Sequence, residues 1–158
     1  WILEKEYFGE IEIISVNIQK ENTDQNSFIL GKNTPTTFGL PSLFLYEPNA
    51  PLLKSGCSDS LSKTLGIDKL HPHSHLFTNM KLIDFPGRRF IIETVIPFKK
   101  EELKKHIEKK KMNITTRNFP LAVEEIRKKH KIAEGGNVYT FFTTNINDEK
   151  IVLICNKI

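Results

Sequence analysis

Asn113-Ile114-Thr115-Thr116-Arg117-Asn118-Phe119-Pro120-Leu121-Ala122-Val123-Glu124-Glu125-Ile126-Arg127-Lys128-Lys129-His130-Lys131 reads as a strand, a loop and a helix in succession. The β-branched Ile114, Thr115 and Thr116 suit a pleated surface. Pro120 fixes φ near the helical value and lacks the N–H that a first helical turn leaves unpaired, so a helix is predicted to open there. Glu124 and Glu125 stand at the positive end of its dipole, and Arg127, Lys128, Lys129 and Lys131 at the negative end. Val123, Ile126 and His130 recur at helical spacing, which gives a narrow docking seam and a basic outer surface. Arg117 falls in the strand-to-helix loop. Together these features describe a nucleic-acid surface. The competing reading is a Lys-rich helix that is merely solvated.

Outward from this stretch the pattern continues on both sides. Arg88-Arg89 open a strand over Phe90–Phe98, and a helix over Lys99–Lys111 carries a thin apolar side, Leu103 and Ile107. After Gly135-Gly136, Val138–Thr144 and Lys150–Cys155 read as strands joined by a hairpin at Asn145–Asp148. The second half is thus β-α-β-α-β-β. In the first half, Gly9–Ile18 alternates as a strand, Gln19–Asn26 forms a long polar tip and Ser27–Leu30 is the return strand. Gly31–Pro41 is loop by composition. The apolar run Leu43–Tyr46 precedes a helix over Asn49–Leu65, with Leu53, Cys57, Leu61 and Leu65 as its seam and Gly66 as its stop. Gly56 inside that helix suggests a close packing contact. Leu76-Phe77 is a short strand, and Asp84–Gly87 is a turn. The composition changes near Phe85–Arg89, where a subdomain boundary is expected.

With 158 residues the chain holds one domain or two small subdomains sharing a core. A hydrophobic fraction of 39% with mixed charges excludes a disordered or membrane-embedded chain. The net charge is +4, yet residues 91–131 alone carry ten Lys and two Arg against six Glu, a local +6 that leaves −2 elsewhere. A basic segment on a slightly acidic body suits a phosphate-bearing partner. Cys57 and Cys155, far apart in sequence, read as free thiols in a reducing cytoplasm. No segment has the length of a membrane span or the pattern of a secretory leader. The first residue is Trp1, so the chain is expected to be a piece of a longer protein.

Leu45-Tyr46-Glu47-Pro48-Asn49 with Lys54-Ser55-Gly56, Ser74-His75-Leu76-Phe77-Thr78, Phe85-Pro86-Gly87-Arg88, Arg117-Asn118-Phe119-Pro120-Leu121, Ile126-Arg127-Lys128-Lys129 and Gly135-Gly136 form a series. It resembles the C-terminal region of a family of bacterial class I S-adenosylmethionine-dependent methyltransferases. The likeness spans roughly Phe44 to Lys157. Before Leu43 it is poor: where the family often carries Glu-Cys-Lys, this chain reads Asn17-Ile18-Gln19-Lys20. The resemblance implies an α+β fold with a ferredoxin-like subdomain over residues 1–85 and a THUMP-like subdomain, a type associated with RNA, over residues 86–158. It also implies that a Rossmann-like catalytic domain, which would bind S-adenosylmethionine, precedes this chain.

The residues themselves offer little catalytic chemistry. A methyl-donor site needs a Gly-rich loop between strand and helix, whereas Gly135-Gly136 precede a strand. Glu47-Pro48-Asn49 lacks the aromatic-flanked Asn-Pro-Pro of amino-methylating enzymes. His71, His73 and His75 alternate and could converge on zinc in an extended segment, but Pro72 favours a loop and no fourth ligand is placed. Ser55, Ser58, Ser60 and Ser62 lie in or near a helix instead of on a strained turn, and Cys57 falls on its seam. Phe44 and Tyr46 could stack on bases or be core, and alternation lets only one of Phe141 and Phe142 face outward. Arg88, Arg89 and Arg117, at loop-to-element junctions, have the fork geometry that matches phosphate, and Arg127, Lys128 and Lys129 add to them. Each arginine could instead tie down a carbonyl or a local Glu. The expected function is an RNA-binding accessory region with no catalysis, cofactor or metal of its own. The alternative is a protein-interaction module packing on the catalytic domain, and a third is a small metal enzyme built on the histidines.

Overall fold

Ile114, Thr115 and Thr116 do lie in a strand, and a helix does follow, but it starts at Val123, three residues after Pro120. The start is set by Glu125, whose carboxylate accepts from the Ala122 N–H at 2.8 Å and so completes the first turn there. The computed structural model describes residues 8–18, 20, 23–29 and 36–158. In chain order these form β1 (Glu12–Ile18), β2 (Thr23–Ile29), β3 (Phe44–Pro48), α1 (Ala50–Ser55), α2 (Ser60–Leu65), β4 (Asp68–Lys69), β5 (Phe77–Asn79), β6 (Gly87–Pro97), α3 (Lys100–His106), β7 (Lys111–Arg117), α4 (Val123–His130), β8 (Ala133–Thr144) and β9 (Lys150–Lys157). The second half is therefore β-α-β-α-β-β, and the fold class is α+β.

β1 and β2 make a two-stranded ribbon, and the other strands form one sheet in the order β4-β5-β3-β6-β9-β8-β7. Among the described strands only β7 and β8 run parallel, with α4 as their crossover. β3 pairs with β6 from Phe44↔Ile91 to Pro48↔Gly87, so the sheet runs without a break across the expected boundary near residue 86. On one face, Leu103 of α3, Ile107 at its C-terminal cap and Ile126 of α4 pack on Ile96, Phe142 and Val152. Further along the same face, Leu52 and Leu61 of α1 and α2 cover Tyr46 and Phe77. The opposite face carries Leu45, Phe90, Phe141, Leu153 and Cys155, covered by Leu70 and Leu76 of the loop between β4 and β5. With both faces covered, Phe141 and Phe142 are each fully buried, and neither turns outward as the alternation suggested.

Other expectations are corrected as well. The helix expected over Asn49–Leu65 is two helices, because Gly56 adopts φ 73° and ends α1 in the left-handed conformation. Among the described residues no atom lies within 4 Å of where its Cβ would be, so backbone conformation and not close packing explains that glycine. The seam changes accordingly: Leu52 and Leu61 are buried, while Leu53, Cys57 and Leu65 are only partly so. The ribbon tip is shorter than the polar run, since Thr23–Asn26 already pair with Ser15–Ile18. The helix expected to reach Lys111 ends at His106, and the chain turns at Lys109 (φ 58°) to enter β7. Gly135 and Gly136 lie within β8, in the irregularity where its pairing with β7 jumps from Met112↔Glu134 to Asn113↔Tyr139. Of the expected loop Gly31–Pro41, residues 31–35 lie outside the described residues, as do Leu30 and Gln19.

Candidate nucleic-acid interface

Glu47, in the middle of an otherwise apolar strand, is 2% exposed. A buried carboxylate stays charged only if it is paired and hydrogen-bonded. Arg88, its register partner on β6, donates from Nε to Oε2 at 2.6 Å and also brings Nη2 onto that oxygen. Arg117, the last residue of β7, donates from Nε and Nη2 to Oε1 at 3.0 and 2.7 Å. It is thus neither isolated nor in the loop, as its sequence position suggested. Two guanidinium forks hold one carboxylate, and the cluster keeps a positive charge.

The Arg117 bond has a topological consequence. β3 and β7 are separated in the sheet by β6, β9 and β8. At the usual spacing between strands, that would be about 19 Å across a flat sheet. Glu47 lies toward the β6 N-terminus and Arg117 toward the far ends of β8 and β9, so the pair also joins diagonal corners. Strong coiling of the sheet brings these corners together over the buried face lined by Leu45, Phe90 and Phe141. Gly87 permits the close approach at one corner, because a Cβ there would collide with the Glu47 carbonyl oxygen. The Arg88 guanidinium also lies 5.6 Å from the Phe90 ring centroid.

The remaining candidates have other partners than Glu47 or none shown among the described residues. Arg89 follows Arg88 on the strand and so faces the other side, 3.8 Å from Asp84 and in register with Tyr46. Tyr46 is core: its hydroxyl bonds the Lys81 carbonyl and the Ile83 N–H, and burial raises its pKa. Arg127 donates to the Met112 carbonyl at 3.2 Å, which ties α4 to β7. Lys128 and Lys129 are exposed on the last turn of α4. A cleft of ≈ 970 Å³ at the coiled corner is lined by Arg88, Arg89, Arg117 and Lys157, with polar side chains of the ribbon opposite. The sequence pointed to the arginines but not to Glu47, the common partner of Arg88 and Arg117. The only available signal was a carboxylate inside the run Leu43–Pro48.

Residues 44–86 match the family model of a ferredoxin-like domain, and residues 87–157 match that of a THUMP domain-like region. The chain carries both domains in tandem. It is also similar to a crystal structure of a “putative methyltransferase” from Porphyromonas gingivalis W83, with 33% identity and a TM-score of 0.82 over 92% of this chain. The chain spans 38% of that protein's length. No curated protein matches it. Glu47 belongs to the ferredoxin-like segment, and Arg88 and Arg117 to the THUMP-like segment, so the cluster joins the two.

The His71 and His73 rings lie 5.4 Å apart, but the three histidines engage different partners. His71 Nδ1 lies 2.9 Å from Asn118 Nδ2 and its Nε2 lies 3.2 Å from Asp148, while His75 Nδ1 lies 3.2 Å from Ser58 Oγ. Burial, with Lys69 nearby, lowers the His75 pKa. Among the described residues no three His, Cys, Asp or Glu side chains are grouped to hold a metal. Cys155 is buried and burial pushes its thiol pKa up, whereas Cys57 is part-exposed. Among the described residues the parallel pair β7–β8 is joined through Asn118–Ala122 and α4, and Asn118–Ala122 holds no glycine of the kind that lets backbone approach S-adenosylmethionine.

Proposed function

We propose that this chain is the RNA-binding accessory region of an S-adenosylmethionine-dependent methyltransferase, acting in the cytoplasm, whose catalytic domain and cofactor site lie outside it. The observation that carries the reading is the THUMP domain-like match over residues 87–157 in a chain that is similar, over 92% of its length, to part of a protein called a “putative methyltransferase”. The surface chemistry supports it. Lys128 and Lys129 offer exposed charge at the end of α4, and Arg88, Arg89 and Arg117 line a cleft on the same domain. Fluorescence anisotropy with a labelled single-stranded RNA should show saturable binding that weakens with salt. Absence of RNA binding at low ionic strength overturns the reading.

One observation favours a second role alongside it. Ile14, Val16 and Ile18 are exposed in a row on one face of the β1–β2 ribbon. An apolar row of this kind suits packing against another domain. If RNA binding is absent, a purely protein-interaction module is the reading that remains.

A further inference from the structure

We infer that Arg88 and Arg117, positioned by Glu47, form a clamp that takes a single phosphate group of a nucleotide ligand. The inference deepens the RNA reading, on which it rests only for the identity of the larger ligand. Each arginine spends Nε and Nη2 on Glu47, which leaves Nη1 outside the bonds to that carboxylate. Their side chains are 43% and 36% exposed while Glu47 is not, so the forks open toward the cleft and the neutralising charge lies behind them. One carboxylate cannot neutralise two guanidiniums, and the residual positive charge sits where a second anion completes the set. Around it the cleft adds Arg89 and Lys157 against Asp24 and Asp84. Asn49 also lines the cleft: its Oδ1 caps α1, and its buried Nδ2 has no partner among the described residues. A buried donor left unpaired is costly, so this one is a candidate for a ligand oxygen.

A phosphate fits this geometry better than a carboxylate of an acidic peptide, because its several oxygens can accept from two forks at once. Glu47 is a positioning residue here. It fixes both guanidiniums before the ligand arrives, so less side-chain freedom is lost on binding. The arrangement also couples the site to the fold, since the clamp exists only while the sheet corners are held together.

The test is a titration of the intact chain with inorganic phosphate, following the arginine Nε–H resonances by NMR. Those of Arg88 and Arg117 should move together with one dissociation constant, while Arg127 stays still. Arg88→Lys and Arg117→Lys keep the charge but remove the fork, and each should weaken phosphate binding by about tenfold or more. Lys104→Ala, an exposed position on α3 outside the cleft, should leave it unchanged. No saturable phosphate binding, or equal affinity in the Arg→Lys variants, overturns the clamp. The resonance shifts are read on the parent chain, so the clamp stays testable even where a lysine variant fails to fold. RNA binding that persists without the clamp would leave the proposed function standing on α4, and a phosphate site without RNA binding would do the reverse.

Discussion

Glu47 and Arg117 are 70 residues apart in the chain, and nothing in the local pattern of either announces the other. The sequence made Arg117 legible as a fork-bearing side chain at a junction, and left open whether it meets a phosphate or a local Glu. The structure adds a carboxylate delivered by the coiling of the sheet, which no spacing rule could place. An exposed loop arginine could be removed without loss of stability, but Arg117→Ala should lower the denaturation midpoint. The loss should stay below the ~3–5 kcal/mol of a broken fully buried pair, because Arg88 remains on Glu47 and both guanidiniums are part-exposed. An unchanged midpoint contradicts the pairing. His130, on the buried seam of α4, shows a second effect of burial. Its Nε2 is buried without a partner among the described residues, and desolvation lowers its pKa. A histidine whose folded pKa lies below its unfolded value binds more protons when unfolded, so the stability it permits is present above about pH 6.5 and lost as pH falls through the folded value. The melting temperature should therefore drop from pH 7.5 toward pH 5, and His130→Leu should flatten that acid limb. An equally steep limb in the variant would assign the effect to other groups.

α4, β6, β8 and β9 were legible as elements because period, dipole order and turn residues agree within each segment. Their ends were less so, since caps and pairing partners set them: Glu125 starts α4, and Lys109 ends the α3 turn. The Asn49–Leu65 segment failed for a definite reason. An apolar residue at every fourth position is the pattern of one helix, but it holds equally for two short helices in succession, and only the φ of Gly56 decides. Leu61 nevertheless lies on the buried side, at 3% exposure against Tyr46 and Phe77. Leu61→Ala should cost about 2–5 kcal/mol, read as a lower denaturation midpoint. A midpoint unchanged within error would show that α2 docks by another face.

Across the whole molecule, the ferredoxin-like and THUMP-like segments share one sheet through β3 and β6 and one ion cluster through Glu47. The order of elements in the THUMP-like half could be read from sequence, whereas the shared sheet could not, because strand pairing between halves leaves no local trace. A methyl-donor site requires a glycine-rich strand-to-helix loop, and the β7–α4 loop, Asn118–Ala122, has none. Calorimetry of this chain with S-adenosylmethionine should accordingly show no binding, and a saturable micromolar site would contradict that. The central claim, that basic side chains of the THUMP-like segment hold RNA, is tested most directly by the salt dependence of single-stranded RNA affinity. Each phosphate contact adds about 0.7 to the slope of log affinity against log salt, so Lys128→Ala with Lys129→Ala should reduce the slope by about 1.4. Slopes identical in the parent chain and the double variant would contradict the claim for α4.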